Sequence, residues 1–310
     1  NLAEVTRSFL SILFQFPMAT SSPTTSHPHL SMGAEEVMDH ARRAAHKIDS
    51  YSDGEKLDFR AEWDHILSSQ CRHPSSTTQE DDGTECVVCK YQRELKLPSL
   101  PEMIFPRNRL EIRWHSHPSA ILSFNALDAL KMVDTDNLPD VQVAPSAVWQ
   151  ESRAKFPEFK QFVHPFDWTY TTEYAGTVDG LKAEETTDTV DLERLKKQEP
   201  ILFYAQVPLY EDELADHGCA SLSVRLRVMP SCSFALQRFY LRVDKVLTRI
   251  CDTRVFASKG DSSVLVEWTM REAPAAKIAH LPIETQLNQN QIWQYLPILK
   301  TRSIRYSPLQ

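Results

Sequence analysis

Glycine is scarce in this 310-residue chain, which contains only seven. Neither G-x-G-x-x-G nor G-x-x-x-x-G-K occurs, so nucleotide binding by the usual glycine-rich loops is unsupported. The G-x-S-x-G turn of many serine hydrolases is also absent. No run of 18 apolar residues occurs, and the sequence therefore predicts no membrane-spanning helix.

The chain also has few cysteines, and its acidic residues outnumber its basic residues. Six cysteines in a chain of this length do not form a disulfide-dense secreted scaffold, so we expect reduced thiols and a cytoplasmic location, with the nucleus as the alternative. A net charge of -8 argues against nucleic acid or anionic lipid as the main ligand. The expected partner is another protein, with no cofactor and no membrane, and the free protein is expected to be a monomer.

The hydrophobic pattern indicates a mostly β (α+β) protein. The segment SLSVRLRVM alternates apolar and polar residues, as a half-buried antiparallel strand does. Strand-like segments such as LEIRW, ILSFN, FALQRFYLRV and SVLVEWT follow one another without a regular alternation of strands and helices. We therefore predict an antiparallel β-sandwich with a few peripheral helices.

One domain and two tails account for the chain. Residues 1–55 are predicted to be a disordered or weakly helical tail, rich in Ser, Thr, Pro and His around residues 20–31. Met18 is a candidate initiator, in which case residues 1–17 are not native sequence. Residues 56–300 form the predicted domain, with a mobile insertion at 70–85, and residues 301–310 form a C-terminal tail.

Two histidines, His115 and His117, stand one residue apart in RWHSHPSAILSFNALDAL, and Asp128 follows. On a strand, residues two apart project to the same face, so both rings could bind one metal ion. The spacing matches that of a JAMM-type zinc isopeptidase, although Asn125 stands where that motif has serine and no general base is evident. The alternative is a turn between two strands, then a helix that Asn125 caps and that holds Asp128 in its first turn.

A second candidate metal site lies near the predicted insertion. Cys86 and Cys89 form a C-x-x-C pair, and Cys71 and His73 precede them. These four residues could bind a structural zinc ion. Because the C-x-x-C segment looks helical and an acidic run separates the pairs, ordinary thiols are the favoured interpretation.

Residues 225–254 are basic, with seven arginines and lysines against two aspartates. In an acidic protein, such a sheet face suits an adaptor that docks acidic tails. The alternative is that these arginines pair with acids on neighbouring strands.

Ordered motifs resemble one known family. They are LPSLPEMIF, FNALDAL, WQESR, PFDWTYTTEYAGT, LYEDELADHG, SLSVRLRVMPS, RFYLRVDKVL and DTRVF. Together they resemble the TOR signalling pathway regulator-like (TIPRL) family, over roughly residues 57–297. The resemblance implies a non-enzymatic regulator that binds the catalytic subunit of type 2A-like protein phosphatases, is expected to restrain it, and modulates TOR signalling. It does not require the histidine pair.

The resemblance also implies four partner-binding residues. They are Asp128 in FNALDAL, Val190 in TTDTVDLE, and Ile250 and Asp252 in LTRICDTR. Val190 and Ile250 stand where relatives carry isoleucine and methionine, whereas both aspartates match. The alternative is that Asp128 only stabilises a helix N-terminus and that Val190 and Ile250 are core residues.

Overall fold

The computed structural model describes residues 46–64, 86–95, 97, 99–133, 140–142, 163–165, 169–214 and 217–309. The strands are β1 Lys47–Ser52, β2 Leu57–Trp63, β3 Met103–Ile104, β4 Arg109–Trp114, β5 His117–Asn125, β6 Asp140–Gln142, β7 Val163–Pro165, β8 Thr177–Asp179, β9 Leu181–Thr186, β10 Phe203–Asp212, β11 Gly218–Val228, β12 Cys232–Val243, β13 Leu247–Ser258, β14 Val264–Pro274 and β15 Ile298–Pro308. The helices are α1 Val87–Glu94, α2 Ala126–Lys131, α3 Leu192–Leu195, α4 Ala275–Ile278, α5 Ile283–Leu287 and α6 Gln289–Ile292, and a 3-10 helix follows at Trp293–Tyr295. No helix in this described part of the chain combines the length and hydrophobicity that a bilayer span requires.

Two antiparallel sheets form the body of the molecule. The small sheet has the strand order β1-β2-β4-β5-β8, and the large sheet has the order β3-β10-β11-β12-β13-β14-β15-β9. β6 and β7 pair with each other. One apolar cluster joins the two larger sheets, because Phe59 and Phe124 of the small sheet belong to it together with Leu222 and Phe239 of the large sheet. The prediction of a mostly β fold with few helices is confirmed.

Side-chain alternation along β11 decides which face of the large sheet turns inward. Leu222, Val224 and Leu226 are fully buried, while the residues between them are partly exposed. This is the period of two that the sequence predicted. On β12 and β13 the pattern is different, since long runs are buried on both faces. Something therefore covers the outer face of these central strands.

Gly180 is the single residue between β8 of the small sheet and β9 of the large sheet. Its φ of +61° lies in the left-handed region, and a Cβ atom would stand 2.6 Å from the carbonyl oxygen of Ser119. Only glycine fits both conditions without strain. One of the few glycines thus allows the chain to change sheets in one step.

Both domain boundaries predicted from the sequence need correction. β1 lies inside the predicted N-terminal tail, where it pairs with β2 along its whole length. β15 occupies most of the predicted C-terminal tail, where it pairs with both β14 and β9. The reason is that backbone hydrogen bonding can recruit a strand that buries few of its own side chains. Residues 1–45 and the predicted insertion at 70–85 lie outside the described residues.

Candidate functional site

The outer face of the large sheet, turned away from the small sheet, carries two of the four predicted partner-binding residues. Ile250 and Asp252 project from β13 on this face. Residues 275–297, here named the cap, cover one part of it. The segment of residues 187–199, here named the strap, covers another part. The covered parts of the outer face therefore form buried layers of their own.

A row of four charged side chains, here named the ladder, crosses β12, β13 and β14. Arg238 donates from Nε and Nη2 to the two carboxylate oxygens of Asp252, both at 2.7 Å. Arg254 lies 3.9 Å from Asp252 and donates to Glu267. Because Arg238 faces Asp252, and Arg254 faces Glu267, in the strand registers, cross-strand pairing holds the ladder together.

The ladder sets the ionisation of its aspartate. Burial on its own raises the pKa of Asp252, but the charge of Arg238 and its hydrogen bonds outweigh this and hold the pKa below the ordinary value of 3.8. Asp252 is 1% exposed. Its carboxylate is therefore a buried, charged and doubly hydrogen-bonded group.

Ile250 belongs to a small apolar cluster beneath the cap. Tyr240 and Ala273 of the sheet share this cluster with Ile292 and Leu296 of the cap. Ile250 and Ile292 are both 0% exposed. The Ile250 side chain therefore packs against the cap and helps to hold it on the sheet.

Val190 lies in the strap, at the other end of the ladder. Its backbone N–H donates to Oε2 of Glu267 at 2.9 Å, and its side chain packs in a cluster with Cys232 and Leu265. Ile250, Asp252 and Val190, which are far apart in sequence, thus belong to one connected arrangement. None of the three presents its side chain to solvent in this structure, since all are 5% exposed or less.

Asp128 lies apart from the other three, beside the small sheet. It stands in the first turn of α2, where Asn125 accepts a hydrogen bond from the Asp128 backbone N–H at 2.9 Å. Asn125 Nδ2 and Thr177 Oγ1 donate to the carboxylate. Burial raises the pKa of Asp128, but these hydrogen bonds and the charge of Lys131 hold it below its ordinary value. Of the four side chains, only this one is partly exposed, at 32%.

The predicted isopeptidase triad does not assemble. His115 lies in the turn after β4 and His117 begins β5, whereas Asp128 follows the far end of that nine-residue strand. At about 3.3 Å per residue, the ends of β5 are roughly 26 Å apart, and three residues that bind one zinc ion must each approach within about 2 Å. His115 instead contacts Asp58 and His117 contacts Ser116. The metalloprotease hypothesis is wrong for these residues, and the turn and N-cap interpretation is confirmed.

Of the second candidate metal site, the structure describes only one half. Cys86 is buried at the start of α1 and Cys89 is partly exposed on that helix. Cys71 and His73 lie outside the described residues. Among those that are described, no group of three potential ligands lies close enough to hold a metal ion.

The basic stretch is largely neutralised within the sheet. Arg249 pairs with Glu272, Arg242 with Asp244, and the ladder pairs Arg238 and Arg254 with acids. Cross-strand pairing, the alternative interpretation of these arginines, therefore describes Arg238, Arg249 and Arg254, whereas the partner of Arg242 lies in the turn after its own strand. An adaptor that docks acidic tails here would have to compete with these internal carboxylates.

Sequence reasoning missed the cap and the residues that hold it. Arg271 donates from Nη1 to the Leu296 carbonyl at 2.8 Å, and its guanidinium lies 4.9 Å from the centre of the Trp293 ring. Arg238 donates to the Gln289 carbonyl at 2.9 Å. The apolar residues between Pro282 and Pro297 were an available signal, but no local pattern indicates which sheet face they cover.

Comparison with known proteins agrees with the motifs. Residues 103–279 match the model of the TIP41-like family. A TIP41-like protein of Caenorhabditis elegans is 45% identical over 274 residues, which cover 88% of this chain and 95% of that protein. The human TIP41-like protein is 46% identical over 216 residues, covering 68% and 78%. The type 2A phosphatase activator TIP41 of Saccharomyces cerevisiae is 32% identical over 262 residues, covering 76% and 71%. The chain belongs to the TIP41-like family, as its ordered motifs predicted.

Proposed function

We propose that this protein regulates type 2A-like protein phosphatases by binding their catalytic subunit, without catalysing a reaction of its own. The observation that carries the proposal is its similarity to the budding-yeast protein, whose name describes a type 2A phosphatase activator. The fission-yeast relative, 33% identical over 180 residues, has the same description. The arrangement around the ladder supports the proposal, because it joins three of the resemblance-derived residues, Val190, Ile250 and Asp252, in one connected part of the structure.

In this proposal the four predicted residues act in two ways. Asp128 contacts the phosphatase directly, since its carboxylate is charged and partly exposed. Val190, Ile250 and Asp252 affect binding indirectly, because they are buried where the strap and the cap pack against the sheet. A substitution at any of these three would change binding by displacing a covering segment rather than by deleting a contact.

Two arguments bear on whether the protein restrains or activates the phosphatase that it binds. The family resemblance leads us to expect restraint of the bound catalytic subunit, whereas the names of the yeast relatives say activator. A phosphatase can be restrained in one complex and still depend on that complex for its later activity, so we propose restraint while bound. The link to TOR signalling and the cytoplasmic location, with the nucleus as the alternative, are parts of the same proposal.

Affinity capture tests binding. Tagged full-length protein is used to capture partners from a eukaryotic extract, with mass spectrometry to identify them and a phosphatase assay on the complex. We expect a type 2A catalytic subunit to be enriched and its activity to be lower than that of the free subunit. Purified catalytic subunit that binds the wild-type protein no better than an unrelated β-sandwich would refute the proposal.

Two aspartate variants test the sites. Asp128→Leu removes the partly exposed carboxylate and Asp252→Asn removes the buried charge, and we expect both to weaken capture. Asp261→Asn is the matched control, because Asp261 is exposed in the turn after β13. Circular dichroism on each variant separates lost binding from lost folding.

A further inference from the structure

The outer surface of the cap carries a patch of exposed apolar side chains. Its members are Ile283, Leu287, Tyr295 and, at the start of β15, Ile298 and Leu299. Ile283 is 63% exposed and Leu299 is 54% exposed. Ile283 and Leu287 are four residues apart on α5, so they share one side of that helix, which buries none of its residues. Five large apolar side chains exposed within 17 residues of chain indicate an interaction site, because soluble proteins rarely expose large apolar patches.

The cap is also depleted in charge. Of residues 275–297, only Lys277 and Glu284 are charged, whereas charged residues make up 25% of the whole chain. Between the apolar residues the segment carries mainly glutamine and asparagine. Few charges together with exposed aliphatic and aromatic side chains are typical of the centre of a protein–protein interface. This composition does not suit nucleic acid or an acidic tail.

Three arginines hold the cap in one position. Arg238 and Arg271 donate to cap carbonyl groups, and the guanidinium groups of Arg254 and Arg271 lie over the Trp293 ring. Beneath them, Ile292 and Leu296 fill the cluster around Ile250. The exposed patch is therefore preorganised, which lowers the entropy that a partner must overcome on binding.

We infer that the outer surface of the cap is a second docking surface for the phosphatase catalytic subunit, separate from the Asp128 contact, and that Arg238 and Arg271 are positioning residues for it. This inference rests on the proposed function. It explains how Ile250 and Asp252 can affect partner binding although neither reaches solvent, because the cap that they support is continuous with the patch. The surface that the partner offers is apolar at its centre and binds with little dependence on salt.

The test is quantitative binding of purified type 2A catalytic subunit to the double variant Ile283→Asp/Leu287→Asp in the full chain. We expect affinity to fall by at least about tenfold, as truncation of central interface residues does, with the melting temperature unchanged because both side chains are exposed. Ile48→Asp is the control, since Ile48 is 49% exposed on the small sheet. We expect it to bind as the wild type does.

Three outcomes oppose the inference, and each is distinct from failure of the proposed function. If the wild type binds and the folded double variant binds within about twofold of it, the cap is not a docking surface. If the double variant or Arg271→Ala binds more tightly, the cap obstructs the site. If light scattering shows a wild-type dimer that the double variant abolishes, the patch is covered by a second copy. A wild type that does not bind at all refutes the proposed function itself.

The positioning role has its own readout. Arg271→Ala is expected to increase amide hydrogen exchange across residues 283–297 and to weaken binding, whereas Arg271→Lys, which retains the charge near Trp293 and one donor for Leu296, is expected to restore part of both. If Arg271→Ala leaves both exchange and binding unchanged, Arg271 is not a positioning residue.

Discussion

β13 is buried on both faces, but by two layers of different chemistry. Its inner face presents Cys251, Val255 and Ala257 to the apolar cluster between the sheets. Its outer face presents Ile250 and Asp252 to the cap and the ladder. The inner layer gains stability from apolar area, which depends little on orientation, whereas charge pairs and hydrogen bonds require defined geometry. The inner layer stabilises the sandwich, and the outer layer determines where the covering segments lie.

The largest expected effect is in the inner layer. Phe239 is 0% exposed between the sheets, and Phe239→Ala should lower the free energy of unfolding by about 3–5 kcal/mol through lost apolar burial and a cavity. Urea denaturation measures the change. Hydrogen exchange should rise throughout the protein and not in the cap alone. A loss below about 1 kcal/mol would contradict the assignment of this layer as the main source of stability.

The next effect is in the ladder. Asp252→Asn leaves the buried Arg238 without its charged partner, and we expect a loss of about 3 kcal/mol in the free energy of unfolding. The double variant Arg238→Met/Asp252→Leu should recover most of this stability, because it removes both buried charges. It should not recover cap protection in hydrogen exchange, since the Arg238 contact with Gln289 is lost. Full recovery of both the unfolding stability and the cap protection would contradict the claim that the outer layer positions the cap.

The pH dependence of stability sharpens the same distinction. The folded-state pKa of Asp252 lies below its ordinary value of 3.8. Its contribution is therefore fully present above about pH 4 and is lost as the pH falls through the lower, folded-state pKa. The difference in melting temperature between the wild type and Asp252→Asn should shrink progressively below pH 4. A difference that stays constant down to pH 2.5 would show that this charge does not stabilise the fold.

The smallest expected effect lies outside both layers. Asn125 caps α2 and also donates to the Asp128 carboxylate. Asn125→Ala should reduce the free energy of unfolding by about 1 kcal/mol, the usual cost of losing an N-cap. Thermal unfolding measures this. Since α2 contacts neither the cap nor the ladder in the interactions described above, cap hydrogen exchange should not change, and an increase there would show that the two regions are coupled.

Local features were predictable from the sequence because they depend on near neighbours. The alternation in β11, the turn at His115 and Ser116, and the N-cap at Asn125 all appear as expected. The role of Asp252 was not predictable in this way. Its partner Arg238 is fourteen residues away, and only the register of β12 with β13 places the two side chains together.

The ends of the domain also depend on pairing between distant residues, and local sequence did not predict them. Residues 301–308 look like a polar tail by composition, yet β15 lies within the large sheet and pairs on both sides. Their backbone hydrogen bonds, rather than their side chains, place them there. The cap was missed for a related reason, since its apolar residues could equally have packed on another part of the protein.

The amino-acid sequence by itself determined the fold class, the inward face of the strands, the local turns and caps, and the family, because each is encoded in residues close together or in motifs of fixed order. The tertiary structure alone decided that His117 and Asp128 lie at opposite ends of one strand, that four arginines of the basic stretch pair with acids, and that Ile250 and Asp252 lie beneath a cap. These depend on strand register and on which apolar surfaces meet, and both arise from contacts between residues distant in the chain.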